Sequence, residues 1–469
     1  MKSNHSELRA SYLPRLIILP TIVGLVSASV LAGFASGALH TAKAVSVRVA
    51  QDDPAEKTPN KPSVSDTPDR AADPTAEYKE ALALIKEDYY GAPVDAKKTK
   101  DLTYSAVRGM LYSLHDPFTS FLDPEEWRGM QEFTTGSFEG IGAVLQMEEG
   151  AIKVVEPIEN SPAERAGIKA DDVITRVDGK PVIGKELDEV VKFIKGPHDT
   201  KVKIGIVRGK KEMEFTITRD SVSTPVVKFN MEDKVNKIGH IQLLSFNEKS
   251  MDNLTHAFEA LREQGMKALI FDLRGNGGGV LDAAVDISSA FIPANQNPAL
   301  GNVVVYIHPG SGPEEKKMLR PDDYLLDRLP MVVLADGTSA SASEITAGAI
   351  KDYGVGTLIG ERTFGKGLVQ TLFPLDDHSA LRLTTNTYFP PRHYDINYKK
   401  DADFERVPNT GGILPDIEVK QPDTWKGAKD KVNDLQMQKG LAFLRARMKG
   451  LTVAQAKKQI AAQTPTTGK

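Results

Sequence analysis

The sequence predicts an α/β protein: a mixed-sheet core, interrupted by an inserted small β-rich unit and preceded by a helical region. Three observations carry this. Apolar residues recur at three and four positions in "EYKEALALIKEDYY" and "DLTYSAVRGMLYSL", so residues 76–136 read as helical. From 137 to 222 short apolar runs broken by Gly and Pro take over, the rhythm of a separate β-rich unit. From 223 to 425 apolar strands alternate with helical stretches, which builds a partly parallel sheet.

Ahead of these lie two segments of different character. Lys2, Arg9 and Arg15 precede the charge-free run 16–39, which is long enough to cross a bilayer, and "AKA" at 42–44 fits a small-x-small cleavage site. Residues 1–45 are therefore expected to be a signal peptide or signal anchor, with export as the consequence. Residues 46–75 are rich in Pro, Asp, Lys and Ser and too poor in apolar side chains to offset the entropy of ordering, so they read as a disordered linker.

Within the β-rich unit, "GIGAVLQMEEGAIKVVEPIENSPAERAGIKADDVITRVDGKPV" supplies short strands. A helix "GKELDEVVKFIKG" and the strands "KVKIGIVR" and "KEMEFTITR" follow. The core then runs "KIGHIQLLSF", the amphipathic "SMDNLTHAFEALREQG", the apolar strand "ALIFDL", a glycine cluster and another helix. Later come "MVVLA", the serine stretch 337–350 and "VGTLIG", then "LVQTLFPL" and "SALRLTTNTYF", and a helical tail over 426–469.

Composition excludes several chemistries. The 469 residues carry 59 basic and 63 acidic side chains for a net charge of -4, so nucleic acid is not an expected partner. With no cysteine there is no disulfide, thiol nucleophile or thiolate metal site. Oxygen, carboxylate and amine chemistry remain.

Two strand-to-helix turns could hold such chemistry. The first contains Gly275, Gly277, Gly278 and Gly279. A P-loop would need Lys and Ser/Thr where Val280 and Leu281 stand, and a dinucleotide turn would need its third glycine at Val280. What stays open is a tight turn, or amides presented to an oxyanion at a helix N-terminus. The second turn holds Ser339, Ser341 and Ser343, either as helix-capping residues or with one nucleophile among them. It lacks G-x-S-x-G, and His378, downstream, sits in an expected hairpin turn. Lys366, however, stands in the Gly-Lys-Gly of "GERTFGKGLVQ", entering an apolar strand. Loss of water there would lower its pKa from about 10.4, and a neutral amine can take a serine proton.

In the order of its motifs the chain resembles the carboxyl-terminal processing peptidases, Ser–Lys proteases with a PDZ domain, over residues 76 to 445. The motifs are "GMLYSLHDPFTSFLDPEEW", "GIGAVL", "SPAERAGIKADDVITRVDG", "LIFDLRGNGGGVLDAAV", "SASASEITAGAIKDYG", "GERTFGKGLVQ" and "GILPDIEV". The family spaces its serine 25 residues before its lysine, which selects Ser341 with Lys366. The resemblance implies that Gln370 orients the amine, that Ala342 and Gly278 donate to the oxyanion, and that no metal or organic cofactor is needed. It also makes the β-rich unit PDZ-like, with amides of Gly140, Ile141, Gly142, Ala143 and Val144 capturing a substrate's terminal carboxylate while the neighbouring strand edge pairs with the peptide. An apolar last residue would suit a pocket lined by Ile141 and Val144. The chain departs from the family at Gly277, where a proline is usual, and at Lys195, where an arginine links peptide occupancy to the active site. The segment before "GILPD" is also longer than usual.

The expected function is an exported serine endopeptidase in the periplasm, or at the inner membrane facing it, acting on envelope proteins with a free C-terminus. An activating adaptor, anchoring by the N-terminal segment and a homo-oligomer are compatible with this. The alternatives are a catalytically inert PDZ adaptor that delivers envelope proteins to another hydrolase, and a non-peptidase acyl hydrolase on the same core.

Overall fold

The computed structural model describes residues 75–462 except 426, 428 and 429. The run at 16–39, the "AKA" at 42–44 and all of the linker but Thr75 lie outside the described residues. What is described divides into two compact units, with the boundary between His115 and Asp116. The first is a helix pair, α1 (Ala76–Asp88) and α2 (Ala96–Tyr112). Asp95 caps α2 by accepting the Lys98 amide at 2.7 Å, and the Tyr78 hydroxyl donates to Thr103 across the pair at 2.9 Å.

The second unit opens with β1 (Ser120–Leu122) and α3 (Pro124–Thr135). A reciprocal cap starts α3: Asp123 accepts from the Glu126 amide and Glu126 from the Asp123 amide. β2 (Ser137–Gly140) leads into a small sheet of β3 (Ala143–Glu148), β4 (Ala151–Pro157), β5 (Val173–Val177), β6 (Lys180–Pro181), β7 (Lys201–Arg208) and β8 (Lys211–Thr218). The helices α4 (Pro162–Ala166) and α5 (Leu187–Ile194) lie between these strands in sequence. The order β3-β4-β5-β7-β8, with β6 beside β5, leaves β3 on an edge. Ile152, Val154, Ile174, Val190, Val202 and Ile204 belong to a core of its own. The chain leaves along β9 (Asp220–Ser223), which pairs antiparallel with β2. That two-stranded ribbon is the stem of the insertion.

Beyond it come β10 (Val227–Asp233), β11 (Ile238–Leu243), α6 (Ser250–Glu263), β12 (Ala268–Asp272) and α7 (Leu281–Phe291). β13 (Val303–Pro309), β14 (Glu315–Met318), β15 (Met331–Ala335), α8 (Ala342–Tyr353) and β16 (Thr357–Gly360) follow. The chain ends with β17 (Leu368–Pro374), β18 (Ala380–Phe389), β19 (Ile417–Glu418), α9 (Leu435–Met448) and α10 (Val453–Ala462). The main sheet has the order β10-β11-β12-β15-β16-β19, antiparallel at β10 and parallel from β11 onward. This is the mixed sheet that strand–helix alternation predicted.

Successive side chains of β12 point to opposite faces, as the pleat requires, and both faces are buried. Leu269 and Phe271 join Leu254, Phe258, Val285 and Ile345 from α6, α7 and α8. Ala268 and Ile270 join Phe443 and Leu444 of α9 with Ala456 and Ile460 of α10. The C-terminal helices thus close the second face of the main sheet. A further antiparallel sheet, β1-β18-β13-β14 with β17 on β18, carries the strand that follows Lys366.

Candidate active site

β12 and β15 are parallel neighbours, with Phe271 opposite Val333. The loops at their carboxyl ends, the glycine turn and the serine turn, therefore emerge side by side, where open α/β sheets place ligand sites. Hydrogen bonds stitch the two together. The Ser339 hydroxyl donates to Leu273 O at 2.8 Å, the Ser343 hydroxyl to Asn276 O at 2.9 Å, and the Ala340 amide to Asn276 O at 3.1 Å. Ser339 and Ser343 are both wholly buried. The outer two serines thus have structural bonds, and Ser341 between them is the partly exposed one.

Ser341 adopts φ 55° and ψ -114°, a conformation that a non-glycine residue holds only when its surroundings impose it. What imposes it is Glu344. This buried carboxylate accepts the Ser341 amide at 2.9 Å, the Gly365 amide at 2.7 Å, the Lys366 amide at 2.8 Å and the Thr363 hydroxyl at 2.6 Å. Burial pushes its carboxyl up, and those donors pull against that shift. On the carbonyl side, the Tyr388 hydroxyl lies 2.9 Å from Ser341 O and 2.7 Å from Lys366 O. Burial raises the Tyr388 phenol well above its usual range, so it stays a neutral donor. One carboxylate and one phenol therefore tie the backbones of Ser341 and Lys366 to each other. Sequence reasoning missed both clamps; Glu344 had one legible signal, its place three residues after Ser341 in an S-x-x-E pattern.

Lys366 precedes β17 and is half-buried. Burial, and then the neighbouring Arg382, lowers its pKa to about 8, against the pull of Asp116 and Glu344. Its Nζ sits 4.7 Å from the centroid of the Phe118 ring. Gln370 lies at a bulge where β17 meets β18, and its amide donates to Thr384 Oγ1 at 3.3 Å.

Ala342 is the first residue of α8, where a helix leaves its amide without an intrahelical acceptor. Gly278 presses on the serine turn: with φ 101°, a Cβ there would lie 2.6 Å from Ala340 O and 2.8 Å from Ser341 Cβ. Its amide, however, donates to Asn276 Oδ1 at 2.9 Å. The glycine turn is braced from below by Arg274, which bonds Asp272 through Nε at 2.9 Å and Nη2 at 2.7 Å, and Asp434 through Nη1 at 2.8 Å.

In the inserted unit Gly140 ends β2, and Gly142 takes φ 76°. Ile141 is buried in the unit's core, while Ala143 and Val144 begin the edge strand β3 and are half-buried. Ile141 O accepts the Ala163 amide at 2.7 Å and Gly142 O the Ile158 amide at 3.0 Å, which fixes the loop. An edge strand beside a fixed glycine loop is what adding a peptide strand requires. Lys195, just past α5, pairs with Glu132 of α3 and lies 5.1 Å from the Phe138 ring centroid.

On an α/β core with an inserted β-rich module, a strained serine turn thus shares Glu344 and Tyr388 with the backbone of a lysine of lowered pKa, and comparison with known proteins makes this a serine-type peptidase. The sequence pattern of peptidase family S41 matches residues 237–419, and that of the PDZ domain residues 153–208. The carboxy-terminal-processing protease of Bartonella bacilliformis is 35% identical over 384 residues, 80% of each chain. The carboxy-terminal processing protease CtpA of Bacillus subtilis is 37% identical over 74% of this chain and 69% of its own. The carboxyl-terminal-processing protease of Synechocystis is 35% identical over 72% of this chain and 75% of its own. The chain belongs to the S41 carboxyl-terminal processing peptidases and carries their PDZ domain.

Proposed function

We propose that this peptidase is exported, works in the periplasm or at the inner membrane facing it, and cuts envelope proteins whose free C-termini its PDZ domain captures. Ser341 and Lys366 form the dyad. Ser341 Oγ attacks the scissile carbonyl as its proton passes to the neutral Lys366 Nζ, leaving a tetrahedral oxyanion and a lysinium. The Ala342 amide meets that oxyanion, joined by Gly278 once Asn276 Oδ1 releases its amide. The C–N bond then breaks as the lysinium protonates the leaving amine, and water, deprotonated by the same lysine, hydrolyses the acyl ester. Gln370 orients the amine. The observation that carries this reading is the desolvated Lys366 tied to the strained Ser341 through Glu344. An inert adaptor would have no use for either feature.

The test pairs Ser341→Ala with Lys366→Arg. Both variants should stay folded by circular dichroism and lose fluorophosphonate labelling and proteolysis of a free-acid peptide, because arginine keeps the charge but does not shed its proton. Substantial turnover by the arginine variant would remove Lys366 as base. Export carries its own expectation: a periplasm-dependent reporter fused after residue 75 should be active, and intact mass of the mature protein should reveal whether cleavage follows "AKA".

A further inference from the structure

Phe118 lies on the loop that opens the second unit, and the sequence reading gave it no role. Asp116 shapes that loop: Oδ1 accepts the Phe118 amide at 3.0 Å and Oδ2 the Thr119 hydroxyl at 2.7 Å. Thr119 Oγ1 accepts the Thr384 amide at 3.1 Å, which pins the loop to β18. On its other side the Phe118 ring meets Tyr398 edge-on, with centroids 6.4 Å apart at 61°, and the Tyr398 amide donates to Gly365 O at 3.0 Å. The ring is thus held from two directions with its face 4.7 Å from Lys366 Nζ.

We propose that Phe118 is a positioning residue for the proteolytic reaction: its ring caps the Lys366 amine, keeps water from it and holds it in place. This rests on the Ser341–Lys366 reading above.

The ring acts on the amine in two opposed ways. As an apolar wall it excludes water and favours the neutral form. As a quadrupole it favours the cation, by about 0.5–2 kcal/mol. The other charged groups facing Lys366 are Arg382 of β18, which disfavours its protonation, and Asp116 and Glu344, which favour it. Burial as a whole is the largest cause of the downward displacement to about 8. With its centroid 4.7 Å from the amine, the ring is assigned a share of that burial larger than its quadrupole. Phe118→Ala removes both and admits water, whereas Phe118→Leu keeps an apolar wall and discards only the quadrupole. The two substitutions should therefore move the lysine in opposite directions.

The experiment follows the rate of fluorophosphonate labelling of the full chain from neutral to alkaline pH, for wild type, Phe118→Ala, Phe118→Leu and Lys366→Arg. The rising limb should move to higher pH in the alanine variant, lowering the neutral-pH rate about tenfold per unit moved, and to lower pH in the leucine variant. Limbs that do not move, or that move the same way, overturn the proposal, since a ring that only filled space would change rate or stability without moving the limb. If the alanine variant fails to fold, the leucine variant decides alone: a downward limb supports the role, and an unmoved or upward one overturns it. Labelling of Lys366→Arg at the wild-type rate overturns the dyad and this role together. An unlabelled Lys366→Arg beside immobile Phe118 limbs overturns the Phe118 role alone.

Discussion

Lys366, the proposed base, weakens the fold that holds it. Its pKa is lowered, chiefly by burial, from its ordinary 10.5 to about 8, so the folded protein binds the proton less well than the unfolded chain does. The sign follows from linkage. Between those two values the unfolded state holds the extra proton, so stability rises with pH there, and below about 8 the full cost is present. That cost is on the order of 3 kcal/mol. Lys366→Met, which keeps a similar volume without charge, should raise thermal stability at neutral pH by roughly 1–3 kcal/mol while abolishing proteolysis. The gain should shrink at alkaline pH, where the wild-type amine is neutral in both states. Calorimetry at the two pH values checks this, and an equal gain at both would mean that packing, not charge, is the cause.

At the scale of elements, Arg274 joins β12 to the segment entering α9 through a buried network. Burial alone would push the Asp272 carboxyl up, but Arg274 and His240 hold it well below the usual range. The side chains of Arg274, Asp272 and Asp434 are 6%, 1% and 6% exposed. Removing one partner from such a network strands a buried charge, so Arg274→Met should cost about 3–5 kcal/mol in denaturant unfolding. A loss below about 1 kcal/mol would mean that the network is dispensable.

This network also marks what the sequence could and could not convey. The alternation of strands and helices, the inserted β-rich unit and the two loaded turns are local patterns, and they were legible. Tyr388 was not, nor was Glu344 beyond its S-x-x-E spacing from Ser341, because a carboxylate and a phenol acquire their meaning from partners that only the fold brings near, such as Gly365, Lys366 and Ser341. The same holds for β1, whose Ser120 pairs with Arg382 across most of the chain. The sequence marked the C-terminal helices only as a helical tail; that Phe443 and Leu444 cover the main sheet depends on partners such as Ile270 and Val332 far away in the chain. That Ser339 and Ser343 are engaged in structural hydrogen bonds was similarly out of reach, since their acceptors Leu273 O and Asn276 O lie on another turn.

The PDZ domain is attached to the protease core by the β2–β9 ribbon, and the exposed Lys192–Glu125 pair links α5 to α3. Arg219, at the β8–β9 junction, fastens the end of α5 to that ribbon by donating to Ile194 O at 2.8 Å and Phe193 O at 3.0 Å. The Lys195–Glu132 pair spans from α5 to α3, but its side chains are 37% and 25% exposed, so it holds the domain by less than about 1 kcal/mol. Such a module has its own core, so a peptide added to β3, as proposed, would leave the main sheet undisturbed. If the Gly140–Val144 amides receive a terminal carboxylate, a peptide ending in an amide loses the charge they would bind. Matched peptides that differ only in that group should then show a lower kcat/KM for the amide, by about tenfold for each 1.4 kcal/mol of lost capture. The difference should collapse when the edge strand is blocked by Val144→Pro, which removes a backbone donor without touching Ser341 or Lys366. Equal cleavage of acid and amide by the wild type would leave the loop with a structural role only. A difference that persists in Val144→Pro would move recognition of the terminus away from β3 and into the protease cleft.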